Sequence, residues 1–345
     1  MSVQPSRRIR LRRSDCSGPG LRRLRRGRGF TYVDERGDRV TDPETLLRIR
    51  ELAIPPAWRD VWICRDPRGH LQATGTDAAG RKQYLYHAMW RAQRDREKFH
   101  RALRFAHSLP RLRREVSAEL DHDGLGRERV LACAARLLDR GLFRVGSDEY
   151  ADEEGGIGLA TIRKEHVSFN HDVALFDYPG KGGVRHVQSI ADPQSLEVLR
   201  ALRRRRSGGD ELLAYRNGRR WVALRAEDIN EYLKDRLGAE FSAKDFRTWN
   251  ATVLAAVVVA IDGPQATTKT ARKRVMNTAA REVAEVLGNT PAVARRAYID
   301  PRVFDRYQAG QTIAPALRAV GELDLEDERP RGRIERAVLR LLEEA

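Results

Sequence analysis

The chain has 345 residues, of which 41% are hydrophobic and 33% charged, with a formal net charge of +16. Its longest apolar run, which begins at Leu254, is far shorter than the roughly 20 residues of a membrane span, so we expect no membrane segment. The excess of positive charge indicates a polyanionic partner, nucleic acid first, because neutralising phosphates releases their counterions.

The N-terminal part of the sequence predicts a basic arm and then a small β-rich domain. Residues 1–28 hold ten arginines and one acidic residue, interrupted by SGPG, which is typical of a flexible arm. A hairpin pattern follows, and Asp42 with Pro43 predicts a helix start. Three alternating runs around DPRG and DAAG turns extend to about residue 87. We therefore assign residues 29–90 to a small β-rich domain.

The rest of the chain predicts a mainly helical domain over residues 91–345. From Ala88 onward, apolar residues recur at spacings of three and four, as in amphipathic helices. The pattern returns to alternation over 158–190, and an Asn-Gly pair at residue 217 predicts a further hairpin. Helical patterns then dominate up to a last helix that follows the acidic stretch 322–328. The expected fold class is α+β.

The sequence contains little that favours a metal or nucleotide site. Cys16, Cys64 and Cys133 lie too far apart for a CxxC pattern, and Asp121-His122-Asp123 is typical of a solvated loop. The GKGG string lacks both the first glycine and the Ser or Thr of a phosphate-binding loop. The basic N-terminus also lacks the apolar stretch of a signal peptide, so we expect a cytoplasmic protein.

Five strings occur in an order that resembles one enzyme family: LFRVGSDEY, YPGKGG, AKDFRTW, LGNTP and RRAYID. They are similar to the type IB DNA topoisomerases, and the small front domain resembles the poxvirus and bacterial branch. The resemblance implies that this front domain, residues 29–90, clamps DNA. The resemblance covers roughly residues 30–310. It implies a catalytic domain of the type IB topoisomerase and tyrosine recombinase kind, with a β-hairpin that carries a catalytic lysine.

Carried over residue by residue, the resemblance implies five catalytic positions. Tyr298 would be the nucleophile, Arg144 and Arg247 the arginines that hold the phosphate, and Lys181 the general acid. Asn289 stands where the family commonly has histidine, so we expect a hydrogen bond to phosphate there without added charge or proton transfer. The sequence does not identify a base for Tyr298.

The chemistry of strand cleavage explains these residue types. A tyrosyl phosphodiester stays reactive enough for the departing DNA hydroxyl to reverse the step, so no ATP is required. Two guanidiniums offer fixed donor forks to the charge that gathers on the phosphate. Lysine can protonate the leaving oxygen if nearby arginines lower its pKa. We expect no metal and no cofactor.

Further positions match DNA-contacting residues of the family. Gln83 and Tyr84 lie in the expected DNA-facing strand, and Tyr150 and Lys244 also match. By the period of two, Tyr84 and Tyr86 share a strand face, so either DNA contact or core packing fits this pair. Lys244 precedes Arg247 by about one helical turn, which would bring it near the same phosphate.

These observations predict an enzyme that relaxes supercoiled duplex DNA through a 3′-phosphotyrosyl intermediate, strand rotation and religation. We expect a monomer associated with the nucleoid in the cytoplasm. A tyrosine recombinase is the alternative within the same chemistry, although its front domain is usually helical. A non-catalytic basic nucleic-acid-binding protein, in which Tyr298 only packs, is the alternative from another class.

Overall fold

The computed structural model of this chain describes residues 10–146, 156–180, 183–321 and 328–344. By its internal contacts the chain divides into two compact units, Met1–Lys98 and Phe99–Ala345. Among the helices described, none has the length and apolar character needed to cross a bilayer.

The first unit is built on an antiparallel sheet. Its strands are β1 (Leu21–Arg26), β2 (Gly29–Val33), β3 (Arg59–Ile63), β4 (Leu71–Thr76) and β5 (Lys82–Tyr86), in the order β2-β1-β3-β4-β5. Helix α1 (Pro43–Glu51) begins as predicted at Asp42, whose carboxylate accepts a 2.9 Å hydrogen bond from the Thr45 N–H. Ile49 of α1 packs on Leu21, Val61, Ile63 and Ala73 to form a small apolar core.

The basic arm expected over residues 1–28 differs from the structure. Leu21–Arg26 is strand β1, paired with both β2 and β3. Leu21 is only 4% exposed, and the Arg23 guanidinium donates to backbone carbonyls of residues 54–58 at 2.7–3.2 Å. Leu21 and Arg23 share one face of this strand, which contacts the core and satisfies buried carbonyls, whereas Leu24 on the other face is 39% exposed.

The change to helical periodicity at Ala88 marks the start of α2 (Ala88–Leu120). We expected the domain boundary at residue 90, whereas the first residues of this helix, up to Lys98, belong to the first unit. The sequence could not predict a boundary inside this helix, because its helical periodicity continues unchanged from one unit into the other.

The second unit is mainly helical. After α2 its helices are α3 (Arg127–Gly141), α4 (Pro193–Arg204), α5 (Ala226–Leu237), α6 (Ala243–Asp262), α7 (Lys269–Leu287), α8 (Pro291–Ala297), α9 (Pro301–Gln308), α10 (Ala314–Val320) and α11 (Glu328–Glu343). Strands β6 (Val167–Asn170), β7 (Val173–Pro179) and β8 (Arg185–Ile190) form one antiparallel sheet, and β9 (Ala214–Asn217) pairs with β10 (Arg220–Ala223). These are the strands that the alternating patterns predicted.

Helices α3 and α6 lie in the core of the second unit. Most residues of both helices are buried, and Trp249 of α6 is 1% exposed. Directly after α3, the Phe143 ring packs edge-on against Phe176 of β7, with 4.9 Å between ring centroids. The segment that leaves α3 is therefore held against the β6-β7-β8 sheet.

A buried cluster of charges ties the last helix to this core. Arg113 of α2 donates to Asp139 of α3 at 2.8 and 2.9 Å and to Glu335 of α11 at 2.6 and 2.8 Å. Arg331 of α11 also donates to Asp139, at 2.7 Å. Burial alone would raise the pKa of Asp139, but the two arginines outweigh it and hold that pKa well below its usual range. Helix α11, outside the region of resemblance, is thus part of the core.

Candidate active site

The structure brings four of the five predicted catalytic residues to neighbouring segments. Arg247 lies on α6, Arg144 follows α3, Asn289 follows α7 and Tyr298 ends α8. Lys181 lies outside the described residues, as does Tyr150 of the predicted DNA-contacting set.

Arg247 is buried and held by two backbone carbonyls. It is 5% exposed, and its guanidinium donates to Leu142 O at the end of α3 and to Leu287 O at the end of α7, the latter at 2.9 Å. Burial lowers the pKa of Arg247, the Tyr298 phenol opposes this and Arg144 adds to it. An arginine pKa starts so high that the group stays charged. The result is a fixed cation where three segments meet.

Tyr298 lies beside this cation at the end of a short capped helix. Thr290 caps α8 by accepting from the Val293 N–H, and a proline follows at the first helical position. The helix ends at Tyr298, whose half-buried ring has its centroid 5.5 Å from the guanidinium carbon of Arg247. The candidate nucleophile therefore lies beside the buried cation.

The backbone around Tyr298 is held by a residue that the sequence did not single out. The Thr252 hydroxyl of α6 accepts from the Asp300 N–H at 3.1 Å. It shares its own proton between the carbonyls of Thr248, at 2.9 Å, and Tyr298, at 3.2 Å. Thr252 is 1% exposed. The signal available in the sequence was a threonine five positions after Arg247.

Arg144 and Asn289 contact each other directly. One guanidinium nitrogen of Arg144 donates to the amide oxygen of Asn289 at 3.1 Å. The Nε of Arg144 is buried and has no hydrogen-bond partner within the part of the chain that the structure describes. A buried, unpaired guanidinium donor is costly unless an acceptor arrives, so this atom favours binding of an anion.

Asn289 is presented by a left-handed turn at the end of α7. Gly288 has φ of 60°, a conformation that glycine adopts readily, and the Asn289 N–H returns to Ala284 O at 2.9 Å. We expected Asn289 to donate to phosphate. Its amide oxygen accepts from Arg144, so Asn289 also orients that arginine, and donation from its amide nitrogen to phosphate stays a prediction.

The predicted hairpin around Lys181 is formed by β7 and β8, which pair from Ala174 with Ile190 to Pro179 with Arg185. Gly180 precedes the undescribed residues 181 and 182, and its N–H donates at 2.8 Å to the carbonyl of Val184, which follows them. The described residues on both sides of Lys181 are therefore paired with each other.

The remaining DNA-contact candidates occupy two surfaces, each within one unit. On β5, Tyr84 is 47% and Tyr86 39% exposed, and their rings stack at 6.3 Å and 18°. The side chain of Gln83 donates to Asp77 at 2.9 Å. Lys244 is exposed on α6, one turn before the buried Arg247.

Comparison with known proteins identifies relatives for both units. A family model described as "Eukaryotic DNA topoisomerase I, catalytic core" matches residues 87–318. A second, "Bacterial DNA topoisomerase IB, N-terminal domain", matches residues 29–77.

Individual relatives extend over different lengths. The chain is 29% identical over 297 residues to DNA topoisomerase 1B of Acanthamoeba polyphaga mimivirus, covering 84% of this chain and 88% of that protein. It is 21% identical over 231 residues to DNA topoisomerase I of Monkeypox virus, covering 67% and 70%. The match to DNA topoisomerase 1 of Daucus carota, 28% identical, covers 37% of this chain and 15% of that protein.

Proposed function

The chain belongs to the type IB DNA topoisomerase family, and from that membership we propose how its own residues break and rejoin a DNA strand. It is a DNA-binding isomerase that changes DNA topology. The observation that carries the residue assignment is the Tyr298 ring beside the buried Arg247 guanidinium, 5.5 Å from ring centroid to guanidinium carbon.

Cleavage begins at Tyr298. Its phenol oxygen gives its proton to solvent water and bonds to the scissile phosphorus, while the bond from phosphorus to the 5′ oxygen breaks and leaves its electron pair on that oxygen. The product is a 3′-phosphotyrosyl strand and a free 5′ hydroxyl. Rotation about the intact strand then removes supercoils, and attack by the 5′ hydroxyl reverses the chemistry. Bond energy is conserved, so the cycle proceeds without ATP.

Arg144 and Arg247 stabilise the charge that develops on the non-bridging phosphate oxygens. Arg247 is preorganised by two carbonyls, and Arg144 by Asn289, so little reorganisation is needed when the phosphate arrives. Asn289, having an uncharged amide, acts by hydrogen bonding. Lys181 supplies the proton that the leaving 5′ oxygen takes up.

Plasmid relaxation tests this function. The purified protein is incubated with negatively and, separately, positively supercoiled plasmid in EDTA without nucleotide, and covalent complexes are trapped with denaturant. We expect relaxation of both signs and a protein linked to the 3′ end of the broken strand. Relaxation that requires ATP or a divalent cation, or linkage to the 5′ end, would contradict the mechanism.

Strand exchange between two marked duplex sites tests the recombinase alternative with the same preparation. A topoisomerase needs one active site per break, so relaxation should occur at one protein molecule per plasmid without recombinant products. Relaxation at one protein molecule per plasmid would also support the prediction of a monomer, which sedimentation would check. The expected location at the nucleoid stays a prediction that imaging of the tagged protein would check.

The exposed face of β5 is the proposed DNA contact of the first unit. We expect Tyr84→Ala to weaken duplex binding about tenfold, the size of one lost contact of about 1.4 kcal/mol. Fluorescence anisotropy with labelled duplex measures this. Leu47→Ala, at a 56% exposed position on α1 of the same unit, is the control and should bind as the wild type does. Equal affinity of Tyr84→Ala and wild type would remove this face from the interface.

Thr252→Val is expected to slow DNA cleavage about 10- to 100-fold. Valine keeps the shape but removes the hydroxyl that contacts the Tyr298 carbonyl and the Asp300 N–H. A nucleophile displaced by about 1 Å costs about 100-fold in rate. Single-turnover cleavage measures the rate.

Thr248→Val is the matched control, since that hydroxyl donates to Lys244 O within the same helix. Thr252→Ser should restore most of the rate. If Thr248→Val and Thr252→Val slow cleavage equally, the defect belongs to the helix and not to the Tyr298 turn.

A further inference from the structure

The backbone of Arg144 is held by a segment that none of the five sequence motifs includes, residues 157–160. The Leu159 N–H donates to the Arg144 carbonyl at 2.7 Å, and the Ala160 N–H donates to the Val145 carbonyl at 2.8 Å. Leu159 is fully buried and Ala160 is 5% exposed, so both donors belong to the core. The segment that follows α3 is therefore anchored at Arg144 itself.

A close approach between two glycines makes these hydrogen bonds possible. A methyl group built on Gly158 would lie 2.4 Å from the Gly146 nitrogen and 3.0 Å from the Arg144 carbonyl oxygen. Both neighbours are backbone atoms, which cannot rotate away as a side chain can. The φ of Gly158 is −133°, which any residue adopts, so glycine is needed at this position for the close approach alone.

Hydrogen bonds on both sides keep Gly158 in this position. The Thr161 hydroxyl accepts from the Gly158 N–H at 3.0 Å and donates to the Gly158 carbonyl at 3.1 Å. The Thr161 N–H donates to the same carbonyl at 2.9 Å and closes a single 3₁₀ turn, Leu159–Thr161. On the other side, the Ile157 N–H donates to the carbonyl of Pro179, the last residue of β7, at 3.0 Å. A shift of Gly158 would have to break some of these bonds.

The position of the Arg144 guanidinium depends on this backbone contact. A methyl group on Gly158 would have to move from 2.4 Å to at least 3.0 Å from the Gly146 nitrogen, a shift of about 0.6 Å. Because Gly158 is held, the Arg144 segment is the part that moves. Its guanidinium, which donates to the Asn289 amide oxygen at 3.1 Å, moves with it. A catalytic group displaced by about 1 Å costs about 100-fold in rate.

We propose that Gly158 is a positioning residue for strand cleavage: its lack of a side chain lets the Leu159 N–H reach the Arg144 carbonyl, which places the guanidinium against the scissile phosphate. This inference rests on the proposed function, in which Arg144 stabilises charge on the non-bridging phosphate oxygens. A side chain at position 158 displaces the arginine and weakens that stabilisation. Tyr298, on a turn held by Thr252, keeps its place.

The test compares a natural phosphate with a methylphosphonate at a scissile bond mapped with the wild-type protein. A methyl group replaces one non-bridging oxygen in the methylphosphonate, so an arginine has less charge to stabilise during cleavage. We expect Gly158→Ala to cleave the natural duplex about 100-fold more slowly than wild type in single-turnover reactions. The two diastereomers of the methylphosphonate are measured separately. For at least one of them, Gly158→Ala and wild type should cleave at similar rates.

Two reference variants define the two kinds of defect. Arg144→Ala removes the guanidinium and should slow cleavage of the natural duplex about 100- to 1000-fold, with a much smaller loss on the methylphosphonate. Thr252→Val displaces the nucleophile and should be slow on both substrates, because the attacking oxygen is the same in each. Gly158→Ala should follow the pattern of Arg144→Ala.

Gly126→Ala is the matched control. Gly126 directly precedes α3 and has φ of −67°, and a methyl group built on it meets nothing within 4 Å. This variant should cleave every substrate as the wild type does.

Thermal melting and duplex affinity are measured for every variant. If Gly158→Ala does not fold, Thr161→Val takes its place, since it removes only the hydroxyl that binds Gly158. It should slow cleavage of the natural duplex about tenfold, again with relief on the methylphosphonate, and Thr161→Ser should restore the rate.

Each outcome has one interpretation. If wild type forms no covalent complex with the natural duplex, the proposed function fails. If wild type cleaves and Gly158→Ala equals it, or loses the same factor on the natural duplex and on both diastereomers, the positioning role is overturned and the function stands.

A double-mutant cycle adds an independent check. In the Arg144→Ala background, Gly158→Ala should cause almost no further loss on the natural duplex, because residues that act through one contact are not additive. Additive losses would mean that Gly158 acts through another residue and would overturn the assignment to Arg144.

Discussion

Tyr298→Phe protein is expected to bind duplex DNA as the wild type does and to form no covalent complex with it. The substitution removes one oxygen and leaves the ring beside Arg247 and the backbone contacts to Thr252 in place. Removal of a catalytic nucleophile elsewhere costs about a million-fold in rate, so both cleavage and plasmid relaxation should fall below detection. Denaturant trapping on labelled duplex and relaxation in EDTA measure the two losses.

Tyr307→Phe is the matched control for this loss. Tyr307 lies on α9, is 4% exposed and donates from its hydroxyl to Gly263 O at 3.4 Å. Its replacement should leave cleavage intact. A covalent complex formed by Tyr298→Phe at a rate near that of wild type would transfer the nucleophile to another residue and reopen the non-catalytic interpretation of the LGNTPAVARRAYID segment.

Asp139→Ala is expected to give the largest loss of stability, about 3–5 kcal/mol in the free energy of unfolding. Such a cost is typical when one partner of a buried ion pair is removed and the other charge stays buried. Here both Arg113 and Arg331 lose a carboxylate that is 4% exposed. Of the ion pairs described between α11 and the rest of the core, Arg331 with Asp139 is lost and Glu335 with Arg113 is kept. Urea unfolding followed by circular dichroism measures the change.

Glu115→Ala is the control for the buried cluster. Glu115 pairs with Arg111 at 3.0 Å on the same helix as Arg113, but the side chains are 63% and 37% exposed for Arg111 and Glu115. An exposed pair of this kind contributes about 0–1 kcal/mol, so the variant should unfold like wild type. Equal losses for Glu115→Ala and Asp139→Ala would mean that the buried cluster does not anchor α11.

The pH dependence of this effect follows from the lowered pKa of Asp139. A carboxylate whose pKa is depressed by folding contributes stability above its unfolded pKa of about 3.9 and loses it as pH falls through the folded pKa. The difference between wild type and Asp139→Ala should therefore stay constant from about pH 8 to about pH 5 and shrink only in stronger acid. A difference that disappears near neutral pH would contradict the ion pair.

The order of structural elements was predictable because it depends on local signals. Asp42 with Pro43 begins a helix, and so do Thr290 with Pro291. These caps act between residues two or three positions apart, and a reader of the sequence sees both partners at once. The alternating runs on either side of the Lys181 turn likewise identify β7 and β8. Family resemblance then named the catalytic residue types, because their motifs are short and contiguous.

The tertiary structure alone decided which backbone groups hold those residues in place. The carbonyls that fix Arg247 belong to Leu142 and Leu287, 105 and 40 positions away along the chain. Thr252 reaches Tyr298 across 46 positions along the chain. Neither periodicity nor composition encodes such pairs, because they form only when separate elements pack.

Strand β1 illustrates the same limit at the N-terminus. Its six residues, LRRLRR, contain four arginines and by composition are typical of a solvated arm. They form a strand because Leu21 enters a core made by β3, β4 and α1, and Arg23 satisfies carbonyls between α1 and β3. Sequence by itself determined most of the local elements of this topoisomerase and predicted its reacting groups. Packing between distant segments decided their burial, their hydrogen-bond partners and the residues that position them, since those energies arise only in the folded chain.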